Sequence, residues 1–546
     1  MTRSTTSLAK YIHAIRDSPR GIYNHNLAVV VVSFALCGCA KGMLPDPKTC
    51  PIILCLYLTP RLLVGWDEGS ASAITQLKSF ERMYNLDNNT VSNIVSFVNL
   101  GAGVGALLSF LLNDRIGRRW SMRLYQLVYI IGSLISCFSY GNVGVLYAGR
   151  LIAGLGIGAL TVVGPMTIAE VAPKATRGLM TLLFNVCMLS GQALGVFTVY
   201  GCSIHISPAK NLQYQIPWFT QTFAPSISII LSFFAVESPR WIILSNKRQS
   251  ALASLLRLRG LPANHPYVDA EYNEMVRQVE EEDTSLGPTS SLKVVKETFF
   301  IRSNLRRVQL SLVAYILAQM SGANSVTNYL PTIFGMVGIK GSGVKVYTTG
   351  LYAITKLIFC VAASLCFVDV LGRRKSLMTG IIIQIICHSY LAGYLSFFTK
   401  EPSTMPKGAS DAAIAFIYIH ALGWAIGLYT LPYLFGAELW PSRIRSFGGA
   451  LSQCFHWLFY FAITKATPSL LTGLHTWGAF VLFAGFCIVA LVYTFFLVPE
   501  TSGLSLEEIN KIFERPLYRL GQPLAPERQN DEDDDEKQST RYIERV

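Results

Sequence analysis

Apolar runs of about twenty residues recur along the chain between short polar loops, and runs of that length can cross a bilayer. They lie near 27–44, 90–112, 121–140, 143–167, 179–203 and 216–236, then near 305–335, 345–368, 377–398, 411–436, 446–470 and 477–498. The pattern predicts twelve helical spans, six on each side of a polar stretch at 237–304. Within that stretch apolar positions return at helical spacing over 245–260, 266–283 and 291–301, which predicts short amphipathic helices lying on the membrane surface. The domain plan is a tail (1–26), a first bundle (27–236), a helical loop (237–304), a second bundle (305–498) and a tail (499–546) with an acidic run, Asp531–Glu536. A charged run of that kind reads as a solvated terminus.

The two halves repeat each other. Asp114-Arg115-Ile116-Gly117-Arg118-Arg119 returns as Asp369-Val370-Leu371-Gly372-Arg373-Arg374, an offset of 369 − 114 = 255 residues. Ala169-Glu170-Val171-Ala172-Pro173 followed by Arg177 returns as Ala437-Glu438-Leu439-Trp440-Pro441 followed by Arg445. Glu237-Ser238-Pro239-Arg240 closes the first half and Pro499-Glu500-Thr501 the second. Duplicated bundles are the usual build of a carrier that rocks about a central site.

Composition agrees with this class: 51% of residues are hydrophobic and 14% charged, against about a quarter charged in soluble domains. Mean hydropathy is +0.40. The net charge of +13 does not point to nucleic acid, because the basic residues fall in loops on one side of the predicted spans. Lys and Arg follow the second, fourth, eighth and tenth spans, so both termini and the 237–304 loop are expected in the cytoplasm. The sequon Asn88-Asn89-Thr90 then falls outside, where Asn88 is open to glycosylation. The twelve cysteines are scattered without metal-ligand spacing. Gly154-Leu-Gly-Ile-Gly158 sits mid-span without a lysine, and close helix packing explains it better than a nucleotide loop. With no nucleophile–base pair and no cofactor loop, an enzyme is not expected, and no cofactor or metal is implied.

In this order and topology the repeated motifs resemble the sugar porter family of the major facilitator superfamily, over residues 60–510. The resemblance implies an all-α membrane protein with the twelve-helix major facilitator fold, two pseudo-symmetric six-helix bundles. It further implies a secondary active transporter in the plasma membrane, functional as a monomer, with the lipid bilayer, a polyhydroxylated solute and protons as its partners. Asp114, Arg118, Arg119, Glu170, Arg177, Glu237 and Arg240 would form a gating salt-bridge network with Asp369, Arg373, Arg374, Glu438, Arg445 and Glu500. The family's glycine four residues before the aspartate is Phe110 here and Leu365 in the second half. The alternative is a nutrient-sensing receptor of the same build without net transport. Such receptors usually carry a longer tail than the stretch after residue 498 here.

Two intramembrane charges, Asp67 and Arg150, invite a partner or a task, since each costs about 2.5–3.5 kcal/mol to insert. In proton-coupled sugar porters an aspartate after glycine-aromatic and an arginine of the fourth span form a pair, and Gly65-Trp66-Asp67 and Arg150 match it. Protonation would loosen such a pair and couple proton entry to the motion; the alternative is a structural ion pair. The family's sugar-reading positions match unevenly. Gln319, Asn324 and Tyr329 survive, while Ala318, Asn328 and Val186 replace a glutamine, a tyrosine and a glutamine, with Gln192 further along. Tyr433 stands where the tenth-span tryptophan is expected, and His456 takes an amide position before Trp457. As a lone histidine, His456 fits a hydroxyl reader or a packing residue equally. A hexose, a disaccharide, another polyol and a hydroxylated acid such as quinate all stay open as cargo.

The first span is anomalous. Leu27–Gly42 begins it, but Pro45, Pro47, Pro51 and Pro60 intervene before Asp67. Removing Met43–Leu62 would restore one helix, so this segment reads as an insertion of the kind an unspliced intron would leave. If retained, it would form a re-entrant piece or an extra short span and put the Asp67–Arg150 pairing in doubt.

Overall fold

A computed structural model describes residues 51–172, 177–233, 235–286, 291–363, 372–400, 406–429, 439–441, 444–500 and 511–515. Among these residues there are helices and no strand. The first half is built from α1 (Pro51–Ile74), α2 (Lys78–Tyr84), α3 (Asn88–Ile116), α4 (Arg118–Cys137), α5 (Val143–Val171), α6 (Arg177–His205), α7 (Leu212–Thr220) and α8 (Phe223–Ser232). The loop forms α9 (Pro239–Leu244), α10 (Arg248–Arg259), α11 (Pro266–Leu286) and α12 (Ser291–Phe300). The second half holds α13 (Arg302–Met320), α14 (Ala323–Asn328), α15 (Leu330–Met336), α16 (Ser342–Ala362), α17 (Arg373–Lys400), α18 (Lys407–Trp424), α19 (Arg445–Gly473) and α20 (Trp477–Leu497).

Counting α7 with α8 as one crossing and α13–α15 as another gives twelve crossings among the described residues, six per half. This is the twelve-helix, two-bundle arrangement expected from the hydropathy pattern. Lipid explains the surface: Leu108, Ile230, Phe233, Ile358, Phe397 and Phe496 are all exposed. In water so broad an apolar surface would drive association.

The helix that carries Asp67 differs from the expectation. It runs unbroken from Pro51 to Ile74, so residues 51–62 of the suspected insertion supply its first half. Pro60 is accommodated within it. Leu27–Gly42 and residues 43–50 lie outside the described residues.

Small residues set the helix spacing. A Cβ on Gly158 would stand 1.8 Å from the Ala102 carbonyl oxygen and one on Gly154 2.2 Å from that of Val98, so α5 lies directly on α3. Likewise a Cβ on Gly65 would meet Met188 O at 1.7 Å and one on Gly191 would meet Leu62 O at 1.9 Å, which presses α1 onto α6. The halves join along two seams, α3 with α19 and α6 with α16. At the first of these Phe110, in place of the family glycine, packs edge-on against Phe447 with ring centres 5.0 Å apart.

The loop helices sit where their periodicity predicts, and a buried pair fastens them. Arg259 makes two hydrogen bonds to the Glu271 carboxylate, at 2.7 and 2.8 Å, and a third to Val171 O at the end of α5, at 3.0 Å.

Candidate functional site: a buried ion pair and a polar cavity between the halves

The close seat of α1 on α6 and of α5 on α3 turns Asp67 and Arg150 toward each other. Arg150 Nη1 lies 2.5 Å from Asp67 Oδ1 and Nη2 lies 3.1 Å from Oδ2. Its Nε donates to Ile94 O at 3.0 Å, and the guanidinium stands 5.0 Å from the Trp218 ring centre. Both side chains are buried, at 2% and 1% exposure. A planar fork matched to a carboxylate gives two parallel charge-assisted bonds. Protonating the carboxylate would therefore end the two-point ion pair.

The pair lines a small cavity shared with Glu68, Asn99, Asn328, Trp457 and Tyr460. The seventh crossing breaks beside it. Gly322 takes φ +78°, a conformation suited to glycine, and α13 ends just before it while α14 starts just after. Breaks of this kind bring backbone ends and polar side chains to a midplane site.

The break gathers most of the amides singled out from sequence. Asn324 Nδ2 donates to Gln319 Oε1 at 2.7 Å, and Gln319 Nε2 lies 3.1 Å from His456 Nδ1. Asn328 donates through Nδ2 to Thr464 Oγ1 at 3.1 Å and accepts through Oδ1 from the Tyr460 hydroxyl at 3.3 Å. The Trp457 indole reaches across the halves to Thr161 Oγ1, at 3.1 Å, and stacks on Tyr460. Tyr329 points its hydroxyl to Thr464 O at 3.0 Å, and Gln192 is buried on α6. Tyr433 lies outside the described residues.

At one end of the bundles the repeated motifs build matched caps. Glu237 accepts from the backbone N–H groups of Arg118 and Arg119, at 3.1 and 3.2 Å, at the start of α4. Glu500 does the same for Arg373 and Arg374, each at 3.0 Å, at the start of α17. Each carboxylate thereby faces the positive end of a helix. Arg118 also pairs with Asp114 and Glu170, both at 2.9 Å, and Ser238 donates to Glu170 at 2.6 Å. Across the halves, Ser446 Oγ donates to Asp114 Oδ2 at 3.3 Å. Arg240 sits in the first turn of α9, and Arg445 begins α19 with its Nε 3.3 Å from Trp440 O. Asp369 and Glu438 lie outside the described residues, as does the side chain of Arg177.

At the opposite end Lys465 of α19 bonds to Asn89, at 2.6 Å, and to Asn93, so polar contacts cross the seam at both ends. Asn88 is exposed in the first turn of α3, beside the cap Asp87. The Asp87 carboxyl is held below the usual carboxylate range by hydrogen bonds from Thr90, its side chain first and then its backbone N–H.

Four residues of this region were not singled out from sequence. Glu68 accepts from the Tyr460 hydroxyl through Oε1, while its Oε2 is buried without a partner. Lys356 is buried on α16, and its Nζ lies 3.9 Å from the ring centre of Trp424, which in turn stacks on Tyr429 at 4.1 Å. The rule that flagged Asp67 and Arg150, an ionisable residue inside an apolar run, applies equally to Lys356 and Glu68. Trp424 and Tyr429 carried no such signal, because aromatics are ordinary in a span.

A family model described as "Sugar (and other) transporter" matches residues 52–513, beginning at the start of α1. The chain is similar to the quinate permease of Emericella nidulans, 28% identical over 532 residues, covering 95% of this chain and 94% of that one. It is similar to a probable quinate permease of Aspergillus terreus, 27% identical over 536 residues, with 95% and 93% covered. Among solved structures, the major facilitator proton:xylose symporter XylE bound to 6-bromo-6-deoxy-D-glucose aligns with a TM-score of 0.71 at 20% identity, covering 85% of this chain and 98% of that one. The inward open conformation of the E. coli xylose transporter XylE aligns with a TM-score of 0.66 at 20% identity, over 84% and 98%.

Proposed function

The chain belongs to the sugar porter family of the major facilitator superfamily, and from that premise we propose that it is a proton-coupled symporter of a polyhydroxylated solute, working by alternating access in the plasma membrane with both termini cytoplasmic. The observation that carries the reading is the Asp67–Arg150 pair, placed in one cavity with Asn328, Trp457 and Tyr460. A proton on Asp67 exchanges a two-point ion pair for at most one hydrogen bond from the Arg150 guanidinium to an uncharged acid, and so frees α1 against α5. Because α1 packs on α6, and α6 on α16 of the other half, the loosening is carried to a seam between the bundles. Gln192, Gln319, Asn324, Asn328, Tyr329, Tyr433 and His456 read the solute's hydroxyls, since amides both donate and accept; Trp457 covers an apolar ring face. At the cytoplasmic end Asp114, Arg118, Arg119, Glu170, Arg177, Glu237 and Arg240 face Asp369, Arg373, Arg374, Glu438, Arg445 and Glu500. Their contacts close with the cavity turned outward and part when it opens inward. Asn88 carries the glycan. The quinate permeases among the relatives support a hydroxylated acid as one candidate cargo.

The test is uptake of radiolabelled sugars, polyols and hydroxylated acids in a transport-deficient host at two external pH values. Accumulation above the external concentration, greater at the acidic pH and collapsed by a protonophore, is the expected result. Accumulation that a protonophore leaves intact would overturn the coupling. Binding without any net uptake would favour the sensing receptor instead.

A further inference from the structure

Lys356 lies in the middle of α16, 2% exposed. Its Nζ is 3.3 Å from Thr327 Oγ1 and 3.5 Å from Gln192 Oε1, and it faces the Trp424 ring at 3.9 Å. These neighbours come from α14, α6 and α18, so the ammonium stands where both halves meet. None of them is anionic, and among the described residues no carboxylate lies within ion-pair distance of it. Two long hydrogen bonds to neutral oxygens and one aromatic face are weak support for an ammonium taken out of water.

The position borders the cavity already described. Thr327 precedes Asn328, which lines it, and the Gln192 backbone packs against Gly69, next to Glu68, which lines it too. Glu68 is the carboxylate whose field reaches Lys356, and it spends one oxygen on Tyr460 while the other is buried without a partner. Asp67 and Arg150 neutralise each other. One layer behind the cavity's lining, the seam thus keeps one cation without a contacting counter-ion, beside an amide and an aromatic platform.

We propose that Lys356 binds a carboxylate of the transported solute, so that the cargo is a polyhydroxylated carboxylic acid taken as its anion, with Gln192 and Thr327 completing the carboxylate's seat and Trp424 covering the ring. The inference rests on the transporter reading and narrows its substrate class. The amides at the break of the seventh crossing then meet the hydroxyls, and a neutral sugar leaves the ammonium without its partner. Discrimination by an unpaired buried group is stronger than discrimination by shape.

The probes are quinate, a hydroxylated cyclohexane carboxylate, and myo-inositol, a neutral cyclohexane polyol. Uptake in a transport-deficient host is normalised to surface expression, and purified protein is followed by ligand-induced thermal stabilisation. Wild type is expected to take up quinate, to be stabilised by it, and to ignore myo-inositol. Lys356→Met is expected to lose quinate uptake and stabilisation by about tenfold or more, the weight of a hydrogen bond to a charged group, and Lys356→Arg to keep part of both. Full quinate uptake in Lys356→Met would overturn the proposal, as would a wild type that takes up or binds only the neutral polyol, or neither probe. Quinate stabilisation that depends on Lys356, without uptake, would overturn the transport reading and leave the carboxylate seat standing.

Discussion

Asp67 and Arg150 meet at two points, Oδ1 to Nη1 at 2.5 Å and Oδ2 to Nη2 at 3.1 Å, although 83 residues separate them in the chain. Both are buried, so the pair is shielded from the water that weakens exposed salt bridges. Asp67→Asn keeps the shape and one hydrogen bond but removes the exchangeable charge. It is expected to abolish uphill accumulation while leaving exchange of labelled for unlabelled solute within a few-fold of wild type. Arg150→Met leaves a buried carboxylate unpaired and should cost about 3–5 kcal/mol in detergent unfolding, with partial recovery in the double variant. Accumulation by Asp67→Asn equal to wild type would remove the coupling role.

Glu237 and Glu500 cap α4 and α17 through the same pair of backbone N–H groups. Glu237→Gln and Glu500→Gln should each lower stability by about 1 kcal/mol, the usual net worth of such hydrogen bonds. Both should slow uptake. A large effect from one and none from the other, in thermal unfolding and transport rate together, would break the equivalence of the two halves.

Arg259 and Glu271 form a nearly water-free pair that ties the loop helices to α5. Arg259→Ala should destabilise by about 3–5 kcal/mol, because Glu271 is left buried without its partner. Limited proteolysis within 248–286 should quicken in parallel. Unchanged protease resistance would mean that the loop is held elsewhere.

Gly158 has no room for a side chain, whereas a Cβ on Gly201 meets nothing within 4 Å. Gly158→Leu must push α5 off α3 and should abolish folded, monodisperse protein in size-exclusion chromatography. Gly201→Ala should be silent. Equal yields of the two would contradict the close approach.

Asp87 accepts from the Thr90 N–H at 2.8 Å, and its carboxyl titrates below the usual range. A lowered folded-state value stabilises the cap above the ordinary carboxylate range, and the gain is lost as pH falls through that lowered value. The protection factor of the first-turn amides of α3, with the intrinsic pH dependence of exchange divided out, should therefore fall on acidification in wild type. In Asp87→Asn, which caps without ionising, it should stay flat; parallel profiles would rule the cap out as the cause.

Eleven of the twelve spans were legible as runs of apolar residues because lipid leaves backbone groups no partner but their own helix. The duplication was legible in the spacing of charges, 114 against 369 and 170 against 438. The first crossing was misjudged for a physical reason. Its prolines look like breakers, yet Pro60 is carried inside a helix. Lys356 and Glu68 obeyed the rule that marked Asp67, but nothing linear linked either to Gln192 or Tyr460.

By itself the sequence determined the solvent this chain folds in, the order of its crossings and the charged punctuation that makes its halves alike. Hydropathy, helix length and loop charge are local quantities, readable one window at a time. Which of the buried charges would find a partner was decided only in three dimensions. Glycines at 65, 154, 158 and 191 let the backbones close to contact, and that closeness pairs Asp67 with Arg150. The same packing leaves Lys356 among neutral oxygens at the seam.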